Sequence, residues 1–279
     1  MPASLCHRVV LVVLDGLRPD AIEAFDLSHL RALESMGAST RRATTVAPSV
    51  TAAAMGSLLT GVLPEMHGLT SDRFHIPRSR EPIHLMPAVL RDAGLATSAF
   101  LAQPPLLFRR LARALAVRLG VSRPHFTGST AADIVNASRQ AIESQRSGLI
   151  VIHLPDADRA GHEDGWMSKQ YADAARRLDV ATGIVADMAL RPAADTLLVV
   201  CADHGGGGAV ANDHDSDHPL DRTIPIIMAG AGVVPGAGLE GALLVDIPTT
   251  VLAVLGVARP ASYAGRVLQE AFRERAAAA

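Results

Sequence analysis

Short, uninterrupted apolar runs alternate with longer stretches of helical spacing along the chain. Val9–Leu14 (VVLVVL), Leu149–Leu154 (LIVIHL) and Thr196–Cys201 (TLLVVC) are strand-length and rich in β-branched residues, the pattern of strands buried on both faces. Thr40–Thr45, Leu95–Leu101 and Ile224–Met228 add three more candidate strands. Helical spacing runs through Leu27–Met36, Ala52–Leu59, Pro87–Ala93, Leu106–Leu119, Ser129–Ser144, Ser168–Leu190 and Pro248–Leu255. The polar stretch between Leu154 and Gly165 reads as a loop. Strands that alternate with helices predict an α/β fold, with a mostly parallel central sheet and helices on both faces.

Composition narrows this further. With 279 residues, 49% of them hydrophobic and 19% charged, the chain has ample material for a packed core, and disorder is excluded as its main state. A single domain over residues 1–279 is expected. There is room for a small cap or insertion within 74–130, where Pro77, Pro82, Pro104 and Pro124 break the rhythm. A net charge of −2 and 3% aromatic residues argue against a basic, base-stacking surface, so no nucleic-acid polymer is expected as a partner. The most apolar run, near Gly241–Val257, is interrupted by Asp246 and Pro248, and no membrane partner is expected. Met1–Arg8 lacks the basic-then-apolar pattern of a signal peptide, so a cytoplasmic location is expected. Cys6 and Cys201 lie in or beside apolar runs and read as buried free thiols; their number excludes a disulfide framework and a four-cysteine zinc site.

Chemistry concentrates at strand ends. Asp15 follows the first apolar strand, Asp156 to His162 follow LIVIHL, Asp203-His204 follow TLLVVC, and His214 stands in the next loop. Ligands of open α/β sheets bind outside the carboxyl ends of the strands. Any one of these acids alone reads as a turn residue or helix cap, but together they suit a metal such as zinc, manganese or iron. Thr51, at the start of an alanine-rich helix, reads by itself as a helix cap, a role compatible with a nucleophile; Ser49 is the rival hydroxyl, and Ser57 reads as packing within the helix. Gly205–Gly208 reads as a mobile lip, and Trp166 either lines a groove or packs.

In order, the segments VVLVVLDGLRPD, APSVTAAAMGSLLTGVLPEMHG, PDADRAGH and ADHG, with a later histidine before TIPIIMAG, resemble the alkaline phosphatase superfamily. The resemblance is nearest to its type I phosphodiesterase/nucleotide pyrophosphatase branch and extends from Asp15 to about Gly230. In that branch a nucleophilic Thr or Ser stands nine residues before the Thr of T-G-x-x-P-x-x-H-G. Thr60-Gly61, Pro64 and His67-Gly68 match that run, so the resemblance makes Thr51 the nucleophile. The branch's D-x-x-G-H falls on Asp158, Gly161 and His162, which leaves Asp156 as a neighbour. Its D-H-G falls on Asp203, His204 and Gly205, and its last histidine on His214, eleven residues before Pro225.

The resemblance implies two divalent ions, zinc in the usual case and manganese as an alternative. One ion would be held by Asp158, His162 and His214, the other by Asp15, Asp203, His204 and the Thr51 oxygen. It implies a hydrolase of phosphate diesters or pyrophosphates that works through a phosphothreonine, with a small phosphorylated substrate as the partner. The same residues would serve a phosphomonoesterase or phosphonate hydrolase; a non-catalytic metal-binding relative and a phosphomutase are weaker alternatives. Where the branch usually has an asparagine after H-G, this chain has Asp72, a carboxylate beside an anion site.

Overall fold

The computed structural model describes residues 4–72, 82–191 and 195–273. Phe74, Pro77 and the tail after 273 lie outside them. The chain begins with β1 (Arg8–Leu14), the short α1 (Ala21–Ala24), α2 (Ser28–Met36) and β2 (Ala38–Thr44). Next come α3 (Thr51–Thr60), α4 (Pro64–His67), α5 (Met86–Asp92), β3 (Thr97–Leu101), α6 (Arg109–Arg118) and β4 (Arg123–Phe126). The second half runs through α7 (Ala131–Ser144), β5 (Gly148–Leu154), α8 (Asp156–Asp164), α9 (Lys169–Ala189), β6 (Thr196–Cys201), α10 (Pro219–Arg222), β7 (Thr223–Gly230) and α11 (Asp246–Val254).

One seven-stranded sheet has the order β2-β7-β6-β1-β5-β3-β4. Neighbours pair in parallel except at β7, which is antiparallel to both β6 and β2. The three apolar runs form the centre of the sheet, and every residue of β1, β5 and β6 is buried. Helices α2, α7 and α9 pack together as one layer; α3, α5 and α11 form another. Such double cover is why these strands show no polar alternation. Within 74–130, β3 and β4 belong to the central sheet, and the helical excursion of Leu106–Arg118 connects them.

Two local expectations need correction. The stretch after Leu154 is not a loop but the helix α8, with Asp156 and Asp158 in its first turn and Gly165 at its end, in a positive-φ conformation. Acids at a helix N-terminus are stabilised by the helix dipole, and that outweighs the segment's lack of apolar residues. The strand β4 falls in Pro-containing sequence without strand alternation; it is an edge strand, where proline is tolerated. Cys6 and Cys201 are buried free thiols. Among the described residues no helix is long and apolar enough to cross a membrane.

Candidate metal centre

The central strands β6, β1 and β5 deliver their carboxyl ends side by side, and the predicted site residues meet there. Asp15 directly follows β1. The Asp158 N–H donates to the Asp15 carbonyl at 3.0 Å, which fastens α8 to the end of the neighbouring strand. Gly16 makes this possible: its φ is +68°, and a Cβ there would lie 2.8 Å from the Asp158 Cα. Asp158 and His162 are four residues apart on α8, so they share one helix face.

Each expected histidine has its Nδ1 against a backbone carbonyl: His162 against Asn212 at 3.0 Å, His204 against Gly205 at 2.8 Å, and His214 against Ser49 at 2.7 Å. A carbonyl only accepts, so Nδ1 carries a proton, and in the neutral ring Nε2 is left with a lone pair. The Nε2 atoms of His162 and His214 face each other at 3.1 Å, so two neutral rings in these tautomers set two lone pairs against each other. Two lone pairs at that distance call for a cation. Asp158 Oδ1 completes the group, 3.4 Å from His162 Nε2 and 3.6 Å from His214 Nε2.

A second group adjoins the first. His204 Nε2 lies 3.3 Å from Asp15 Oδ1, 3.8 Å from Asp203 Oδ2 and 4.0 Å from Asp158 Oδ1. The Thr51 hydroxyl is 3.1 Å from His204 Nε2 and 3.4 Å from Asp15 Oδ1. Asp203 Oδ1 accepts the N–H groups of Gly16 and His204, while its Oδ2 has no partner. Asp158 Oδ1 and His153 Nε2 are likewise buried and unpartnered. Leaving such groups unsatisfied costs about 1–3 kcal/mol each, more when charged. Their convergence fits the residues to divalent cations.

The electrostatics agree. Burial raises the Asp15 carboxyl and the Asp203 charge raises it further, against His153 and His204. Burial and the Asp15 charge push Asp158 up to about 6. Burial would raise Asp203 as well, but His204 and His153 hold it below the usual carboxylate range. Burial opposes protonation of His204, yet the surrounding acids push it up to about 10. Burial and the neighbouring His204 lower His214. Among the described residues, no lysine or arginine pairs with these three carboxylates.

The structure also sorts the remaining candidates. Thr51 is not the helix cap: Val50 holds that position, and Thr51 is the first helical residue with its hydroxyl turned into the cluster. Ser49 donates to the His214 carbonyl at 2.5 Å, and Ser57 pairs with His67 Nε2 at 3.0 Å, so both act within the scaffold. Asp156 turns away and accepts the Ala131 N–H at 2.7 Å. The broad groove between α7 and α9 lies on that side and touches none of the cluster. Trp166 packs: its Nε1 donates to the Gly16 carbonyl at 2.9 Å, and its indole lies tight against Gly161 and Gly206. The expected lip is therefore fixed at Gly206, where a Cβ would stand 2.1 Å from the indole.

Sequence reasoning overlooked two residues. His153 lies inside an apolar strand and carries no motif, yet its Nε2 is 3.4 Å from Asp15 Oδ2. Asp213, beside His214, brings a carboxylate oxygen within 4.8 Å of the His162 and His214 donors. Its Oδ1 already accepts the His214 and Asp215 N–H groups.

An α/β sheet with acids and imidazoles converging at its carboxyl edge has the residue types of a candidate metal centre. Residues 9–129 match the type I phosphodiesterase / nucleotide pyrophosphatase family, and residues 123–259 match the metalloenzyme superfamily. The two matches extend together over residues 9–259, in keeping with the resemblance to the alkaline phosphatase superfamily. A 2,3-bisphosphoglycerate-independent phosphoglycerate mutase of Rhodopirellula baltica is 31% identical over 144 residues, 50% of this chain. That alignment spans 26% of the mutase, so the chain corresponds to about a quarter of this curated relative. In fold, murine ectonucleotide pyrophosphatase / phosphodiesterase 5 superposes with a TM-score of 0.70 at 14% identity, covering 90% of this chain and 96% of that one. An alkaline phosphatase superfamily protein from Vibrio parahaemolyticus gives 0.70 at 17% identity, covering 96% and 70%.

Proposed function

We propose that this protein is a two-metal hydrolase of phosphate diesters or pyrophosphates, with Thr51 as nucleophile. The observation that carries this reading is the Thr51 hydroxyl, held 3.1 Å from His204 Nε2 and 3.4 Å from Asp15 Oδ1 at the first turn of α3. Asp158, His162 and His214 would hold one ion; Asp15, Asp203, His204 and the Thr51 oxygen would hold the other. Zinc suits such a mixed carboxylate and imidazole set, and manganese is the alternative. Bound ions would acidify the threonine hydroxyl and neutralise charge on the leaving oxygen.

The chain's own residues supply the rest. Thr51 Oγ1 attacks phosphorus as its proton passes to solvent, the phosphorus bond to the leaving oxygen breaks with that oxygen keeping the bonding pair and taking up a proton from solvent where it needs one, and a phosphothreonine results. Water then cleaves that ester and restores the hydroxyl, with inorganic phosphate or a phosphomonoester as product. The carbonyls of Ser49, Asn212 and Gly205 hold the three imidazole tautomers fixed throughout. A monoester carries about one more negative charge than a diester, and among the described residues no lysine or arginine pairs with the cluster to meet it, which favours diesters. The solved structure of an inactive threonine-to-alanine form of the murine enzyme contains AMP, consistent with a nucleotide-type substrate class for that fold. The mutase relatives support a second reading, phosphoryl transfer onto another hydroxyl.

The test is turnover of bis(p-nitrophenyl) phosphate beside p-nitrophenyl phosphate with zinc or manganese, for wild type and Thr51→Ala. Diester hydrolysis that falls at least about 10³-fold in Thr51→Ala, with bound metal unchanged, is the expected result. Undiminished turnover in Thr51→Ala would overturn the nucleophile assignment. Exclusive monoester turnover would overturn the substrate class.

A further inference from the structure

The excursion that joins β3 to β4 turns its large apolar side chains outward. Leu106, Leu107, Leu111 and Leu115 are 77%, 84%, 62% and 51% exposed, and Phe108 and Val117 are exposed beside them. No residue of α6 is buried and only Ala112 and Ala116 are half-buried, so two alanines form its inner side. Leu107, Leu111 and Leu115 follow one another at intervals of four and form one ridge. An amphipathic helix ordinarily packs such a ridge on the core, but here it faces solvent. Contiguous exposed apolar surface of this kind marks an interaction site. β3 runs parallel to β5, so the excursion leaves the sheet at the edge where the metal cluster lies.

Charge says what covers it. Arg109, Arg110 and Arg113, three or four apart, form a basic row beside the ridge, and Arg118 closes the helix. Residues 93–132 contain no acid. Among the described residues the ion-paired arginines lie elsewhere; Arg109 and Arg113 donate to the carbonyls of Pro104 at 3.3 Å and Pro124 at 3.1 Å. Arg109 and Arg110 also open α6, where the helix dipole disfavours cations and an external anion would relieve them. The occupant is therefore apolar and anionic at once. A second copy would set another group of arginines, and no acid, against the first. A protein groove would have to match the projecting Leu106–Phe108 tip in shape, whereas a bilayer boundary takes apolar tips without shape matching and offers phosphates beside them. We propose that this excursion is a docking surface for an anionic lipid bilayer. Its leucines and Phe108 enter the boundary between headgroups and acyl chains, and its arginines meet the lipid anions. The expectation of no membrane partner rests on the lack of a spanning run, which a helix lying on the surface does not need.

Co-sedimentation with lipid vesicles tests this, with a chelator present so that no ion at the cluster can hold lipid. Wild type is expected to bind phosphatidylcholine vesicles containing about one-third phosphatidylserine at least 10-fold more tightly than pure phosphatidylcholine, and the binding should weaken as salt rises. Two double variants separate the contributions: Leu107→Ser with Leu111→Ser, and Arg110→Gln with Arg118→Gln. All four side chains are exposed, so circular dichroism should show an unchanged fold. Each pair should weaken binding to the anionic vesicles about 10-fold. Equal or absent binding of wild type to the two vesicle types would overturn the proposal whether or not the variants fold. Binding that the leucine pair leaves unchanged would overturn it in favour of a soluble acidic partner. A wild-type dimer that the leucine pair dissociates would assign the face to a second copy and also overturn it. Because the vesicle binding is metal-free, its failure leaves the hydrolase reading standing, and loss of turnover in Thr51→Ala leaves the docking surface standing.

Discussion

The Asp72 carboxylate accepts the backbone N–H of Ala52 at 2.8 Å, one residue from the Thr51 hydroxyl. A negative charge is stabilised at a helix N-terminus, so the contact is locally favourable. It also places an anion where an anionic phosphate would seek the same donor. Asp72→Asn removes the repulsion and leaves an acceptor for Ala52. Its KM for a diester should fall about fivefold, the equivalent of ~1 kcal/mol between charges in a solvated site. Steady-state kinetics at low ionic strength would measure this, and a raised KM would show that Asp72 assists the substrate.

Divalent ions should stabilise the fold, because the three crowded carboxylates pair only with histidines among the described residues. Zinc at a hundred times its dissociation constant contributes about 2.7 kcal/mol by mass action. A chelator should therefore lower the Tm, and restored zinc should recover it. In Asp203→Asn the zinc-dependent increment should shrink. An increment of wild-type size would show that Asp203 holds no ion.

Trp166, the only tryptophan, meets His162 and His214 edge-on, with ring centroids 5.3 and 5.7 Å apart. Its emission should respond when an ion binds those imidazoles. A titration with zinc is expected to saturate with a changed intensity or wavelength in wild type, and His162→Ala should weaken the response. Emission that stays constant while metal binds would place the ion elsewhere. Trp166→Phe, which loses the hydrogen bond to Gly16, should cost about 1 kcal/mol in a urea titration.

His67 supplies a pH dependence outside the cluster. Its Nδ1 accepts the Leu69 N–H at 3.1 Å and its Nε2 pairs with Ser57 at 3.0 Å, so the neutral ring satisfies both partners. Burial lowers its pKa from the ordinary value of 6.5. The unfolded chain then binds the proton more readily than the folded one. Stability from this group is complete above about pH 6.5 and declines as the pH falls below it. Urea midpoints between pH 7.5 and 5.5, with chelator present, should fall less in His67→Gln than in wild type. Equal slopes would remove His67 from the account.

Much of this protein was legible before any tertiary structure. VVLVVL, LIVIHL and TLLVVC announce buried strands because sheet burial on both faces needs nothing but local apolarity, and they became β1, β5 and β6 at the sheet centre. Asp15, Asp203 and His204 stand out because acids and a histidine directly after apolar strands leave a local mark. Asp158 and His162 keep helical spacing even where their segment reads as a loop. Tertiary structure alone decided the rest. That Thr51 faces the cluster and does not cap its helix depends on where α3 meets the ends of β1 and β6. The Asp72 contact depends on how the chain returns after α4. His153 is chemically silent within an apolar strand until register sets it one row beneath Asp15 and Asp203. Local periodicity records which face of an element is apolar. Which polar atoms converge within a few ångströms is set by strand order and register, and no local pattern carries that.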